Sequence, residues 1–279
     1  MSDALRHPFD QAIALQADPA DADRFTGRTS PAYWNMVGPF GGITAATLLQ
    51  AVLQHPQRIG TPLSLTVNYA AAIAAGDFRI QATPVRTNRS TQHWLLQLSQ
   101  VDAQGEEQVA STATLVTAIR RETWSSTDLA RPQVAAAAEL EALRPRAKGV
   151  AWIEQYEIRP LSGSFPSVWD GAGEHSHSRL WMRDAQPRAL DFPALAAMSD
   201  IFFPRVWLRR AIPVPAGTVS ITTYFHVDAE QLASVGSGYL LGDARGQAFR
   251  NGFFDQSAEL WSEAGELLAT SNQIVYYKE

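Results

Sequence analysis

The chain has 279 residues, 46% hydrophobic and 18% charged, enough apolar material for two domains or one large β domain. Its formal net charge of -5 argues against non-specific binding to nucleic acid. The absence of cysteine excludes disulfides, thiolate metal sites and a cysteine nucleophile, and fits a reducing compartment.

The first residues, Met1-Ser2-Asp3-Ala4-Leu5-Arg6, lack a basic stretch followed by an apolar core. No secretory signal is expected from them. No apolar run approaches ~18 residues, so no membrane span is expected and the reading is a cytoplasmic protein. Residues up to Asp21 read as a leading arm, and Phe25 to Trp34 as an extended segment anchored by Tyr33 and Trp34. Gly38-Pro39-Phe40-Gly41-Gly42 then leads into Ile43 to Gln54, rich in Ala and Leu and apolar on most faces, a pattern that predicts a buried helix. Glycines at such a position let backbone or a ligand approach the helix N-terminus, the plainer alternative being a tight turn.

Leu63 to Tyr69 alternates, with Leu63, Leu65, Val67 and Tyr69 on one face and Ser64, Thr66 and Asn68 on the other. That is the signature of a half-buried strand. Asp77 to Val85, Gln92 to Val101 and Val109 to Ala118 continue an antiparallel meander, and the helix must be wrapped by it because nothing else in this half can cover it. From Ile119 to Lys148 the pattern breaks: Arg120-Arg121, Pro132, Ala135 to Ala138 and Pro145 predict a solvated crossing with one short helix.

The second half opens with a strand from Trp152 to Ile158 and a loop rich in Gly, Ser and aromatics from Ser162 to Ser178. His175 and His177 are spaced for a metal but have no cysteine or carboxylate company, so an exposed pair is the preferred reading and no metal is expected. After a strand from Ser178 to Arg183, Asp191 and Pro193 start a helix that runs to Phe203 before Pro204. Asp200 lies among its apolar residues. A buried carboxylate costs several kcal/mol unless paired or used. Arg205 and Arg209 are the available partners, and a functional role is the favoured alternative.

Gly217 to His226 alternates again, with Val219, Ile221 and Phe225 on one face and Thr218, Ser220, Thr222, Tyr224 and His226 on the other. A glycine-rich stretch from Leu232 to Gly246 precedes two last strands, Phe253 to Trp261 and Leu267 to Tyr277. The division that follows is residues 1-125, a linker at 126-148, and 149-279.

The final hairpin nearly repeats an earlier one. Both have a Gly-Glu turn, an Ala, a pair of hydroxyl residues and a β-branched exit, with turns that differ by one residue. Aligned on Ala110 and Ala269, Thr114 falls at the position of Gln273, and the first helix offers Ala and Thr where the second offers Asp200. One polar site per chain is expected, built mainly on the second unit, so that Gln273→Thr harms turnover far more than Thr114→Gln.

The G-x-S-x-G elbow, the Walker loop, a G-x-G-x-x-G after a strand and His-Glu-x-x-His are all missing. Two helix-and-sheet units carrying Gly41-Gly42, Leu63 to Tyr69, Ser199-Asp200, Thr218 to His226, Ala244-Arg245-Gly246 and Leu268 to Gln273 resemble acyl-CoA thioesterases of the TesB (acyl-CoA thioesterase II) type. The resemblance covers nearly the whole chain and implies an α+β double hotdog fold, an acyl-CoA substrate, no cofactor, no membrane or nucleic-acid partner, and a homo-oligomer.

It also implies a water held by Asp200, a hydroxyl residue and Gln273. The hydroxyl falls on Thr218 in an ungapped alignment. The family strand usually carries an acidic residue two positions later, where this chain has Ser220, and so Ser220 and Thr222 stay open beside Thr218. Thioester hydrolysis needs such an activated water and donors for the oxyanion, for which the backbone of Gly41 and Gly42 is the candidate. Coenzyme A phosphates would meet basic groups among Arg86, Arg89, Arg205, Arg209, Arg210, Arg245 and Arg250, with Arg245 favoured. Phe202, Phe203 and Trp207 are candidates to line an acyl tunnel. An enoyl-CoA hydratase or dehydratase is disfavoured: Gly76-Asp77 is followed by Phe78-Arg79-Ile80, and no Asn-Pro-x-His occurs. An acyl-CoA-binding protein without turnover is the remaining competitor.

Overall fold

The computed structural model describes residues 7–144 and 149–279. The first six residues of the leading arm and Pro145 of the crossing lie outside that range. The arm contains α1 (Pro8–Ala12) and β1 (Gln16–Asp18), elements that its short polar sequence did not announce. β2 (Asp21–Arg28) follows, then a 3-10 turn at Pro31–Tyr33 instead of a continued extended run. The first unit is completed by α2 (Gly41–Gln54), β3 (Thr61–Tyr69), β4 (Asp77–Thr87), β5 (Thr91–Val101) and β6 (Glu107–Ala118).

The second unit contains β7 (Tyr156–Ser162), β8 (Ser178–Asp184), α3 (Phe192–Met198), α4 (Arg205–Arg210), β9 (Ala216–Phe225), α5 (Ala229–Val235), β10 (Leu240–Arg245), β11 (Phe249–Arg250), β12 (Phe253–Ser262) and β13 (Leu267–Tyr277). No helix among the described residues is long and apolar enough to cross a membrane.

All strands belong to one antiparallel sheet, in the order β1-β2-β4-β5-β6-β3-β9-β13-β12-β10-β8-β7, with β11 pairing β12. The first half of that order is reversed in the second, so the architecture is the expected α+β double hotdog. Its seam is the antiparallel pair β3–β9, in which Val67 faces Ile221 and the Thr66 and Thr222 hydroxyls meet at 2.9 Å. Both helices lie on the inner side. The α2 residues Leu48, Leu49, Ala51 and Val52 are fully buried. α2 is covered by α3 as well as by its own sheet, because Gly42 and the alanines on both helices let them approach closely. A Cβ on Gly42 would collide with the Ala197 carbonyl oxygen, so only glycine fits there.

The two hairpins match more closely than the sequence suggests. Glu106 and Glu266 close the same turn, their carbonyls accepting from Asp102 N–H and Ser262 N–H at 2.9 Å. Each second strand then carries a β-bulge, at Ala110 in the first copy and at Leu268 in the second. Aligning Ala110 with Ala269 therefore sets a residue inside a bulge against one beyond it. Counted from each bulge, Leu115 faces Trp94 as Gln273 faces Gln256. The counterpart of Gln273 is thus the buried Leu115, and Thr114 points outward.

The crossing is only partly solvated. Val134, Ala137 and Leu140 pack on Trp181, Leu241 and Trp261 of the second unit's outer face, where Arg159 donates to the Ala137 and Leu140 carbonyls. Its short helix is a 3-10 turn at Ala137–Glu139.

Since Leu48 has no exposed surface, Leu48→Ala should lower the urea midpoint by an amount equivalent to about 2–5 kcal/mol. Thr114→Ala on the outer face should stay within about 0.5 kcal/mol of the parent in the same titration.

Candidate functional site

Asp200 stands where the two units meet. α3 ends sooner than its sequence suggests: the Asp200 N–H bonds the Ala197 carbonyl at 3.1 Å, a tightened last turn, and Asp200 follows Ser199, the C-cap. The carboxylate is thereby aimed away from its own helix axis towards the start of α2. A Cβ on Gly41 would lie 2.6 Å from Asp200 Oδ2, and the Gly42 N–H acts on the same carboxylate. Gly41 and Gly42 therefore adjoin the Asp200 carboxylate. Counting from the N-caps Phe40 and Asp191, the apolar Leu49 takes the place in the first unit that Asp200 holds in the second.

Gln273 reaches the carboxylate from β13, donating its side-chain N–H to Asp200 Oδ1 at 2.9 Å and lying 3.5 Å from the Ser199 carbonyl. Thr218 arrives by an irregularity. β13 pairs Ile274 with Ser220 but Val275 with Thr218, leaving Val219 as the extra residue of a β-bulge. The bulge reverses the alternation, so Thr218 turns inward and its hydroxyl reaches Gln273 Oε1 at 3.4 Å. Thr222 stays on the outer face against Thr66, and Ser220, which pairs Asn68 across the seam, lies one pleat further on the same face. Of the three hydroxyls left open by the sequence, the fold brings Thr218 to Gln273.

Desolvation pushes the Asp200 carboxyl up to about 7, although the Gln273 amide and the Gly42 N–H pull it down. A carboxylate with a proton affinity near neutrality, fixed by an amide on one oxygen, is suited to take a proton from a water. The arginines offered as partners go elsewhere. Arg205, fully buried, donates to the Phe203 and Ser176 carbonyls and to Ser178 Oγ, and Arg209 donates to the Gly173 carbonyl.

Arg245 ends β10 on the outer face, in the row that holds Asp243 and Glu259, whereas the next residues inward, Ala244 and Gly242, face the helix side. It is exposed there and does not reach Asp200. His177 is not free: it pairs with Asp243 Oδ1 at 2.5 Å, beside Arg179 on Oδ2 at 2.6 Å. Among the described residues no group of three His, Asp or Glu is placed to hold a metal.

Phe203 packs on Phe165 with ring centroids 3.9 Å apart, and Trp207 donates to the Val214 carbonyl. Two cavities lie elsewhere. One is a surface cleft of about 670 Å³ bordered by Arg28, Trp34, Gly76 and Val150. The other, about 20 Å³, is wedged between Ile43, Thr44 and Thr47 of α2 and Phe78 and Leu98 of the sheet. Neither is lined by Asp200, Phe202 or Trp207.

The site also contains a residue that the sequence placed only on an apolar strand face. Tyr69, on the inner face of β3, donates its hydroxyl to the Gly41 carbonyl at 2.8 Å.

The family profile of acyl-CoA thioesterase N-terminal domains matches residues 30–119, and that of the C-terminal domains matches residues 132–277. Among solved structures, a conserved protein of unknown function with a hot dog fold from Alicyclobacillus acidocaldarius is 46% identical, with a TM-score of 0.90 over 99% of each chain. A putative thioesterase II from Thermobifida fusca YX has a TM-score of 0.79 at 17% identity, over 97% of each chain. The acyl-CoA thioesterase II TesB2 from Mycobacterium marinum has a TM-score of 0.75 at 16% identity, over 97% of this chain and 98% of that one. No curated protein matches.

The raised proton affinity of Asp200 has a consequence for stability. Between its ordinary value of 3.8 and about 7 the native state binds more protons than the unfolded state, so this group's contribution is present at low pH and lost as pH rises to about 7. Asp200→Asn removes that loss. The melting temperature of the variant relative to wild type should therefore rise by a few degrees between about pH 5 and about pH 8. A constant difference across that range would contradict the assignment.

Proposed function

Because the chain belongs to the acyl-CoA thioesterase family of paired hot dog domains, we propose that it hydrolyses an acyl-CoA thioester with a water activated at Asp200. The observation that carries this reading is the convergence on one carboxylate of Gln273 from β13, with Thr218 behind it, and the N-terminus of α2 from the other unit. Gln273 occupies Oδ1, leaving Oδ2 for the water. Asp200 takes a proton as the water oxygen attacks the thioester carbonyl carbon. The carbonyl oxygen becomes an oxyanion, stabilised by the positive end of α2 around Gly41 and Gly42. Collapse breaks the carbon–sulfur bond, and the proton held by Asp200 goes to the departing thiolate. Water and thioester become acid and thiol without a covalent intermediate.

The apolar end of the acyl group is assigned to the narrow cavity beside Ile43 and Thr44, one turn into α2 on the side away from Asp200. Its volume is below that of one liquid water, so a long chain enters only if Phe78 or Ile73 moves. Self-association belongs to the same reading. Thr112, Thr114, Thr66, Thr222, Asn272 and Ile274, on the outer face across the seam, carry no charge to oppose the approach of a second copy. A solution mass of one chain by light scattering would remove that part.

A second reading, acyl-CoA binding without turnover, is favoured by the fact that neither cavity reaches Asp200. One experiment separates them: thiol release from a series of acyl-CoA esters of increasing chain length. Wild type should release thiol with kcat/KM rising through about pH 7, following Asp200. Asp200→Ala should lose about 10²–10⁴-fold in kcat. Gln273→Thr should lose more than ten times as much activity as the outward-facing Thr114→Gln. Equal release by wild type and Asp200→Ala would sink the mechanism, and ligand-dependent thermal shifts without thiol release would select the binding protein.

A further inference from the structure

We infer that Tyr69 is a positioning residue of the Asp200 site: its hydroxyl holds the first turn of α2 beside the carboxylate. This rests on the reading of Asp200 given above. Gly41 is enclosed between two side chains from different units. A Cβ built on it would lie 2.6 Å from Asp200 Oδ2, 3.3 Å from Tyr69 Cζ and 3.3 Å from the Tyr69 hydroxyl oxygen. The Tyr69 O–H donates to the Gly41 carbonyl at 2.8 Å. That carbonyl belongs to the same peptide group as the Gly42 N–H, which acts on Asp200. One amide is thus gripped at its oxygen by the first unit's strand and faces the catalytic carboxylate with its nitrogen. A donor on the oxygen draws electron density from the N–H and strengthens it as a donor, so the hydroxyl fixes both the orientation and the polarity of the helix end.

The groups around Asp200 leave this role to Tyr69. Gln273 approaches from β13 and Tyr156 from β7, while Arg205 and Arg209 spend their donors on carbonyls elsewhere. Burial and the Asp200 charge both raise the Tyr69 proton affinity, so the hydroxyl stays protonated and donating wherever Asp200 ionises. The related position in the second unit cannot do the same. The bulges at Leu63 and Val219 match β3 with β9 and make Phe225 the counterpart of Tyr69; its ring packs edge-on against Phe192 at the start of α3 and has no hydroxyl to donate. The start of α3 is closed by its own cap, Asp191 accepting from Ala194 N–H, with Pro193 in the first turn.

Tyr69→Phe removes the hydroxyl and leaves the ring. In protein carrying 13C-labelled aspartate, the Asp200 carboxyl is assigned by its loss in Asp200→Asn and titrated in wild type and Tyr69→Phe. The expected result is a threefold to tenfold higher proton affinity in the variant, because the α2 N–H groups stabilise the ionised form less well. In thiol release, kcat/KM should fall about tenfold and its acidic limb should move to higher pH, with KM changed less than kcat. A role in packing alone would lower the melting temperature and leave both titrations in place, and that result overturns the inference. Full thiol release by Asp200→Ala would instead remove the hydrolytic reading, and the carboxyl titration would still decide the role of Tyr69.

Discussion

A carboxylate taken out of water must find donors or stay protonated, and the arrangement around Asp200 follows from that constraint. Its own unit supplies one donor, the Gln273 amide. The rest comes from the other unit, through the positive end of α2. That supply requires glycine at positions 41 and 42, since any Cβ would strike Asp200 or the Ala197 carbonyl. The glycines are thus demanded by the approach of a charged group and a neighbouring helix, not by turn geometry. Donors sufficient to hold the carboxylate, yet too few to offset its desolvation fully, leave its proton affinity near neutrality. A hydrolytic base needs that value.

The same constraint explains why a nearly symmetric molecule carries one such centre. At the seam β3 and β9 pair antiparallel, and each carries a bulge at the matching place, Leu63 and Val219, so each unit offers the other an equivalent environment. What breaks the equivalence is chemistry at four positions. Leu49 and Leu115 replace Asp200 and Gln273 in the first unit, and Phe225 and Pro193 stand in the second where Tyr69 and Gly42 stand in the first. Each unit carries a different half of the arrangement around the carboxylate, and without the helix end that carboxylate would lose one of the donors that favour its ionised form.

Much of this was legible in the sequence where periodicity or composition carried it. The apolar run after Gly41-Gly42 marks α2, alternation marks β3 and β9, and Asp200 stands out as a charge in an apolar stretch. Gln273 came from the family resemblance, and the repeated hairpin gave its counterpart one residue out of register. The error has a physical source: both copies carry a bulge, and a bulge adds a residue without leaving a compositional mark. The face that Arg245 takes was not legible for a related reason. β10 is short and interrupted by Gly242, so its two faces cannot be told apart by pattern, and only its pairing with β8 and β12 assigns them. Tyr69 was read as core because an inward tyrosine in an alternating strand looks the same whether its hydroxyl is idle or bonded.

The bulge at Val219 shows how much chemistry can turn on such a hidden residue. Strict alternation from Thr218 to His226 puts every hydroxyl of that strand on one face, and the register with β13 shows that this face is the outer one. If the pairing were regular, Gln273 would meet no hydroxyl, since Thr222 already faces Thr66 across the seam. One extra residue between Thr218 and Ser220 separates the two demands. The strand beyond it keeps its outward hydroxyls, while the strand before it delivers Thr218 to the interior. Sheet register and site geometry are therefore set by different parts of one strand, and the bulge is the joint between them.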